Sequence, residues 1–250
     1  KAIRRQRQMC IRDSNGTAAC AGAKAGGSVK LTGAIFDLDG TLLDSMPYWA
    51  SVGTRYLEQQ HIAVPDVEQL ALRIKTMTLP EAADYFRSDY GVQQSQEEIC
   101  THINHMIEDD YRLRAPLKEG TRDMLKQMKR RGVRMCVASA TDHALVEAAL
   151  RRVGVLDYFS FILTCGDLQT SKNLPYIFDT CTERLGTDKR TTAVFEDSLH
   201  CVVTASGVGY PVVGVYDDSA KTETEEICRL SRCFVYSWKE LDIARLEQSL

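Results

Sequence analysis

Apolar residues along the chain follow two rhythms. Some stand in short unbroken runs, and others recur every three or four positions. The runs predict buried strands: LTGAIFDLD at 31–39, VRMCVASA at 133–140, FSFILT at 159–164, TTAVFED at 191–197 and YPVVGVYD at 210–217. CFVYS at 233–237 is a candidate sixth. The periodic stretches predict helices. EGTRDMLKQMKRRG places Met124, Leu125 and Met128 on one face and stops at Gly132. DHALVEAALRRVG starts from Asp142 as N-cap and stops at Gly154. PYIFDTCTERLG has Pro175 in its first turn and stops at Gly186. Strands alternating with helices of this length imply βαβ units. The predicted class is therefore α/β, a Rossmann-like parallel sheet with helices on both faces.

One insertion breaks the alternation. After the first strand, about seventy residues carry no strand pattern. They read as helices: PYWASVGTRYLEQQH, PDVEQLALRIK, LPEAADYFRSDYG and SQEEICTHINHMIEDDYRLR. The predicted division is a core of residues 31–46 and 113–250 and an all-helical cap domain of residues 47–112. Such a cap would lie over the carboxyl ends of the strands, where open α/β sheets bind ligands.

Residues 1–30 follow neither rhythm and read as a disordered tail. They contain no apolar run of signal-peptide length, while their Arg-rich start would suit a transit peptide. Gln8 to Ser14 spells QMCIRDS, the conceptual translation of a transposon adapter (cag atg tgt ata aga gac ag). At least the part through Ser14 is therefore read as a gene-model artefact. The tail changes the charge picture. The whole chain of 250 residues has a net charge of −3, but residues 1–30 hold seven Lys and Arg against one acid. The remainder is clearly acidic, which argues against nucleic acid and anionic membranes as partners. No apolar run is long enough for a membrane helix. The nine cysteines are odd in number and form no CxxC pair. They fit small buried side chains in a reducing, cytoplasmic setting better than disulfides or zinc. The five histidines form no ligand-spaced cluster with acids.

The candidate chemistry lies at the strand ends. Asp37-Leu38-Asp39-Gly40-Thr41 puts two carboxylates on one side just past the first strand. Two such acids are stable together when a cation lies between them or water surrounds them, and hard Mg²⁺ suits oxygen ligands. A carboxylate can also attack phosphorus. Alone, the pair leaves a lesser alternative, two surface turn acids. Three further features stand at successive strand ends: Ser139-Ala140-Thr141, which could hold a phosphate, Lys172 beyond the third strand, and the acid pair Glu196-Asp197 before Ser198. Each is weak singly, but a parallel sheet brings these ends together.

With those residues in place, the chain resembles the haloacid dehalogenase superfamily, and within it the beta-phosphoglucomutase-like branch with a helical cap. The resemblance covers roughly residues 31–240. It implies a Mg²⁺-dependent phosphatase acting on a small phosphorylated metabolite, a sugar phosphate by default. It implies Asp37 as nucleophile and Asp39 as general acid/base. Asp37, the Asp39 carbonyl, Glu196 and Asp197 would hold the metal. Thr41, Ser139, Ala140 and Lys172 would hold the phosphoryl group. Asp39 argues against dehalogenases and against phosphonoacetaldehyde hydrolases, which lack that acid. A mutase would carry a cap segment like L-K-G-V-S-R and a His soon after the first motif. Here the segment is Ile74-Lys75-Thr76-Met77-Thr78-Leu79, and Trp49 stands where the His would be. Hydrolysis is therefore expected over mutase action, with a non-catalytic binding protein as a third reading. Tyr48, Trp49, Arg73, Lys75 and Met77 are candidates for the substrate side. A monomer is expected.

Overall fold

The computed structural model describes residues 29–74 and 77–250. Residues 1–28 of the expected tail and Lys75 lie outside the described residues. Six parallel strands form one sheet: β1 (Gly33–Phe36), β2 (Arg134–Ser139), β3 (Ile162–Thr164), β4 (Thr192–Glu196), β5 (Val212–Val215) and β6 (Cys233–Val235). Their spatial order is β3-β2-β1-β4-β5-β6. β1 is thus central, with Gly33 in register with Arg134 on one side and Thr192 on the other. The sheet is covered by α5 (Thr121–Arg130), α6 (His143–Arg152), α7 (Cys165–Leu168), α8 (Tyr176–Leu185), α9 (Leu199–Gly207), α10 (Thr224–Leu230) and α11 (Ile243–Ser249).

Alternation along each strand separates the two faces. Ile35, Cys136 and Val194 join one apolar cluster with Ile177, Phe178 and Cys181 of α8 and Val202 of α9. One residue further on, Phe36 and Phe195 turn the other way and stack with ring centroids 4.4 Å apart. Trp238 packs edge-on against Phe36 there. Both faces are buried, which is why the strands read as unbroken apolar runs. Helix ends follow the glycine signals: Gly154 and Gly186 stand just past α6 and α8 at φ of 66° and 60°, where an L side chain would be strained.

The third strand is shorter than its sequence run. Leu156–Tyr158 forms a 3₁₀ turn, and only Ile162–Thr164 pairs with β2. Phe159 and Ser160 lead in, with the Ser160 amide donating to the Met135 carbonyl.

The chain divides into two compact units, and the second is Ser45–Ala115. It holds α1 (Met46–Gln59), α2 (Val67–Ile74), α3 (Leu79–Tyr90) and α4 (Gln96–Leu113). Capping boxes start α3 and α4, from Thr78 with Glu81 and from Ser95 with Glu98. Tyr56 of α1 stacks on Phe86 of α3. Fully buried Asp110 on α4 accepts from Arg55 and Arg114. The first unit runs through Asp44 and resumes at Pro116. No helix of the structure is long and apolar enough to cross a membrane among the described residues. The seven described cysteines are free thiols, and Cys136, Cys181, Cys201 and Cys233 are buried.

Candidate active site

Parallel pairing carries four strand ends to one edge of the sheet. Asp37 is the first residue past β1, and its amide donates to the Phe195 carbonyl of β4 at 3.0 Å. The chain then turns. Gly40 takes a φ of 75°, and the Leu42 and Leu43 amides both donate to the Leu38 carbonyl. Asp37 is buried and Asp39 half-buried. Ser139 ends β2, fully buried, and its hydroxyl accepts from the Thr141 amide at 3.0 Å. Ala140 beside it is exposed. The Thr141 hydroxyl donates to Asp39 Oδ2 at 2.7 Å. Lys172 follows β3 and α7. Its ammonium, nearly buried, pairs with Asp37 and donates to Glu196 Oε1 at 2.6 Å. Glu196 ends β4, and Asp197 follows it.

Asp37, Glu196 and Asp197 each offer one carboxylate oxygen, and those oxygens lie within 4.8 Å of one another. All three side chains are buried, and among the described residues one ammonium, that of Lys172, pairs with two of them. The electrostatics record this excess. Burial pushes the Asp37 carboxyl well above its ordinary range; Lys172 opposes this, while Glu196, Asp197 and Asp39 add to it. Asp197 is pushed up to about 8 by burial and by the charges of Glu196 and Asp217, against the Thr41 hydroxyl and Lys118. Burial alone would lower Lys172, but Asp37 and Glu196 outweigh it and hold the ammonium protonated. A set of hard, buried oxygens with surplus negative charge fits a divalent cation such as Mg²⁺.

The remaining candidates are placed as follows. The Thr41 side chain is fully buried and donates to Asp197 Oδ1 at 3.0 Å, so its hydroxyl is engaged with a carboxylate of the cluster. Trp49 and Arg73 belong to the helical unit. The Trp49 indole donates to the Tyr111 hydroxyl, and the Arg73 guanidinium lies over the Tyr85 ring. His200 contacts the Ser198 hydroxyl at 2.8 Å, at the start of α9. His143 contacts Asp167 of α7.

Thr141 reads with Ser139 as part of a phosphate-holding segment, and its bond to Asp39 is what the sequence does not show. Two further contributors escape the sequence reading. Lys118 and Asp217 belong to no motif. The Lys118 ammonium donates to the Gly40 carbonyl at 2.6 Å, the Tyr216 carbonyl at 2.7 Å and Asp217 Oδ2 at 2.8 Å.

A family model described as haloacid dehalogenase-like hydrolase matches residues 31–208, which include every strand end described above except that of β5 and β6. The chain belongs to the haloacid dehalogenase-like hydrolases. Among curated relatives of this hydrolase is hexitol phosphatase B of Escherichia coli. It is 28% identical over 182 residues, covering 70% of this chain and 78% of that protein. Phosphorylated carbohydrates phosphatase of Thermotoga maritima is 25% identical over 188 residues, covering 70% of this chain and 80% of that protein. Among solved structures, a family IA, variant 3 HAD hydrolase from Entamoeba histolytica superposes with a TM-score of 0.72 at 15% identity. It covers 87% of this chain and 98% of its own. Beta-phosphoglucomutase from Clostridium difficile superposes with a TM-score of 0.63 at 18% identity, covering 85% and 93%. At those identities the structures speak for the fold alone.

Proposed function

We propose that this hydrolase is a Mg²⁺-dependent phosphomonoesterase acting on a small phosphorylated metabolite through an aspartyl-phosphate on Asp37. The observation that carries the reading is the buried meeting of Asp37, Glu196 and Asp197, with the Lys172 ammonium paired to the first two. A cation at Asp37, Glu196 and Asp197 would supply charge neutralisation for a transferring phosphoryl group. Lys172 contributes a second, permanent positive charge and holds Asp37 in place. The Asp37 carboxylate attacks phosphorus, forming an acyl phosphate as the ester oxygen–phosphorus bond breaks. Asp39 gives its proton to the departing oxygen, then takes one from water as that water attacks the acyl phosphate. Inorganic phosphate leaves and Asp37 is restored. Thr141 holds the Asp39 carboxylate for both transfers, and the Ser139 segment is read as a phosphoryl cradle. A positioned acid of this kind contributes about 10²–10⁴-fold.

A sugar or sugar-alcohol phosphate is the proposed substrate class. The relatives named for hexitol and phosphorylated-carbohydrate phosphatases support it. Their phosphatase names also favour hydrolysis over the mutase reading. Trp49, Arg73 and Lys75 are proposed as substrate-side residues of the helical insertion, and the protein is read as a cytoplasmic monomer.

The test is a phosphate-release screen over small phosphomonoesters with and without Mg²⁺, run on the native chain and on Asp37→Asn. Release that needs Mg²⁺ and is lost by more than about 10³-fold in Asp37→Asn supports the reading. Interconversion of hexose 1- and 6-phosphates without net release would establish the mutase instead. Inertness toward every ester would leave a binding protein.

A further inference from the structure

The turn after β1 is pinned from outside at three successive carbonyls. The Gly40 carbonyl accepts from the Lys118 ammonium at 2.6 Å. The Thr41 carbonyl accepts from the Trp238 indole at 3.0 Å. The Leu42 carbonyl accepts from the Lys118 amide at 2.9 Å. Lys118 therefore grips the turn twice, with its main chain and with its side chain. It stands just after the chain returns to the core at Pro116.

All three ammonium donors of Lys118 have a partner. The other two go to the Tyr216 carbonyl and to Asp217, past the end of β5. Asp217 is itself held: its second oxygen accepts from the Ser219 amide at 2.9 Å and the Ser219 hydroxyl at 2.6 Å. Lys118 is thus anchored on a fixed, nearly buried carboxylate and reaches from it to the residue next to Asp39. The Gly40 amide on the other side of that residue donates to Leu43. Removing the ammonium would free the one carbonyl between Asp39 and Thr41 that nothing else described here holds. A shift of about 1 Å in a group that must transfer a proton costs up to about 100-fold in rate.

We propose that Lys118, anchored by Asp217, is a positioning residue that fixes the Gly40 turn and so keeps Asp39 in place beside Thr141. The inference rests on the reading of Asp39 as the proton-transfer group. The Lys118 ammonium donates to the Gly40 carbonyl, the Tyr216 carbonyl and Asp217, so its grip on the turn runs through the backbone, beside the pull of its charge on Asp197.

The test is the double variant Lys118→Met/Asp217→Asn, which removes both charges and leaves neither buried unpaired. Its kcat falls about 10- to 100-fold while KM stays within about twofold, because binding groups are untouched. Hydrogen exchange of the amides at 38–43 in the metal-free protein speeds about tenfold. Lys118→Arg keeps the charge opposite Asp217 but cannot aim three donors from one nitrogen. It shows the same kcat loss in smaller size and secures the test if the double variant folds poorly. Native kcat in the double variant of an active enzyme overturns the proposal, and so does unchanged exchange at 38–43. If the native chain releases no phosphate, the functional reading falls, and exchange alone decides the role of Lys118 in the turn.

Discussion

The Thr41 hydroxyl donates to Asp197 Oδ1 across 156 residues of chain, at 3.0 Å in a fully buried setting. The bond joins the turn after β1 to the end of β4 and leaves that Asp197 oxygen in a fixed orientation. Thr41→Val keeps the shape and removes the donor. Mg²⁺ affinity, read by titration calorimetry, drops about 10- to 100-fold in this variant, as when other outer partners of metal ligands are lost. Thr41→Ser retains most of the affinity. If Thr41→Val bound Mg²⁺ normally and only KM rose, the hydroxyl would serve the phosphate instead.

Lys172 is the only ammonium paired with the buried carboxylates of Asp37 and Glu196 among the described residues. Lys172→Met leaves both acids buried without a cation. Such a loss typically destabilises by about 3–5 kcal/mol. Chemical denaturation in EDTA shows the loss, and Mg²⁺ recovers part of it because the metal takes over the neutralisation. Stability independent of Lys172 in EDTA would mean that these carboxylates are already protonated.

The raised carboxyls make stability depend on pH in a definite direction. Asp37 and Asp197 bind protons more tightly in the fold than in the unfolded chain, with Asp197 up to about 8. Each contribution is fully present below the ordinary carboxyl range and is lost as pH rises through the raised folded-state value, about 8 for Asp197. The metal-free protein therefore melts lower at about pH 8.5 than at about pH 6. Mg²⁺ competes with those protons, so the rise in Tm on adding it is larger at the higher pH. Equal Mg²⁺ shifts at both values would count against a metal at these acids.

Gly214 in β5 is a packing requirement. A Cβ there would lie 2.7 Å from Phe234, 2.8 Å from Ile227 and 2.8 Å from Ser231. Gly214→Ala crowds β6 and α10 together and costs about 1–3 kcal/mol, measured by denaturant unfolding. The effect falls on stability, and kcat near ambient temperature is unchanged.

Much of this architecture was legible because the sheet is buried on both sides. Runs such as GAIF and AVF carry no polar positions, and the acids that follow them mark the strand ends directly. The six strands and the buried acids at the ends of two of them follow from that. The edge strand β3 read too long, because Phe159 and Phe161 look like strand residues while Tyr158 closes a 3₁₀ turn. Lys118 and Asp217 were invisible for a different reason. They are 99 residues apart, Lys118 in a connecting stretch and Asp217 at the close of the YPVVGVYD run, and only folding brings them within 2.8 Å. Thr41 carried a readable motif position but not its partner. A motif shows which atoms are available, whereas the geometry shows which of them are already bound to each other.

The core residues that flank the helical insertion pair with each other. The Asp44 amide donates to the Pro116 carbonyl at 2.9 Å, and Leu43 bridges Leu117 in antiparallel fashion. The sheet therefore senses only a short stitch where seventy-one residues depart and return. Anything between those stitches can lengthen, shrink or be exchanged without shifting the register of β1 against β2. Evolution can thus rewrite the excursion while the acids at the strand ends stay put, and a laboratory graft between relatives should cut at the same two points.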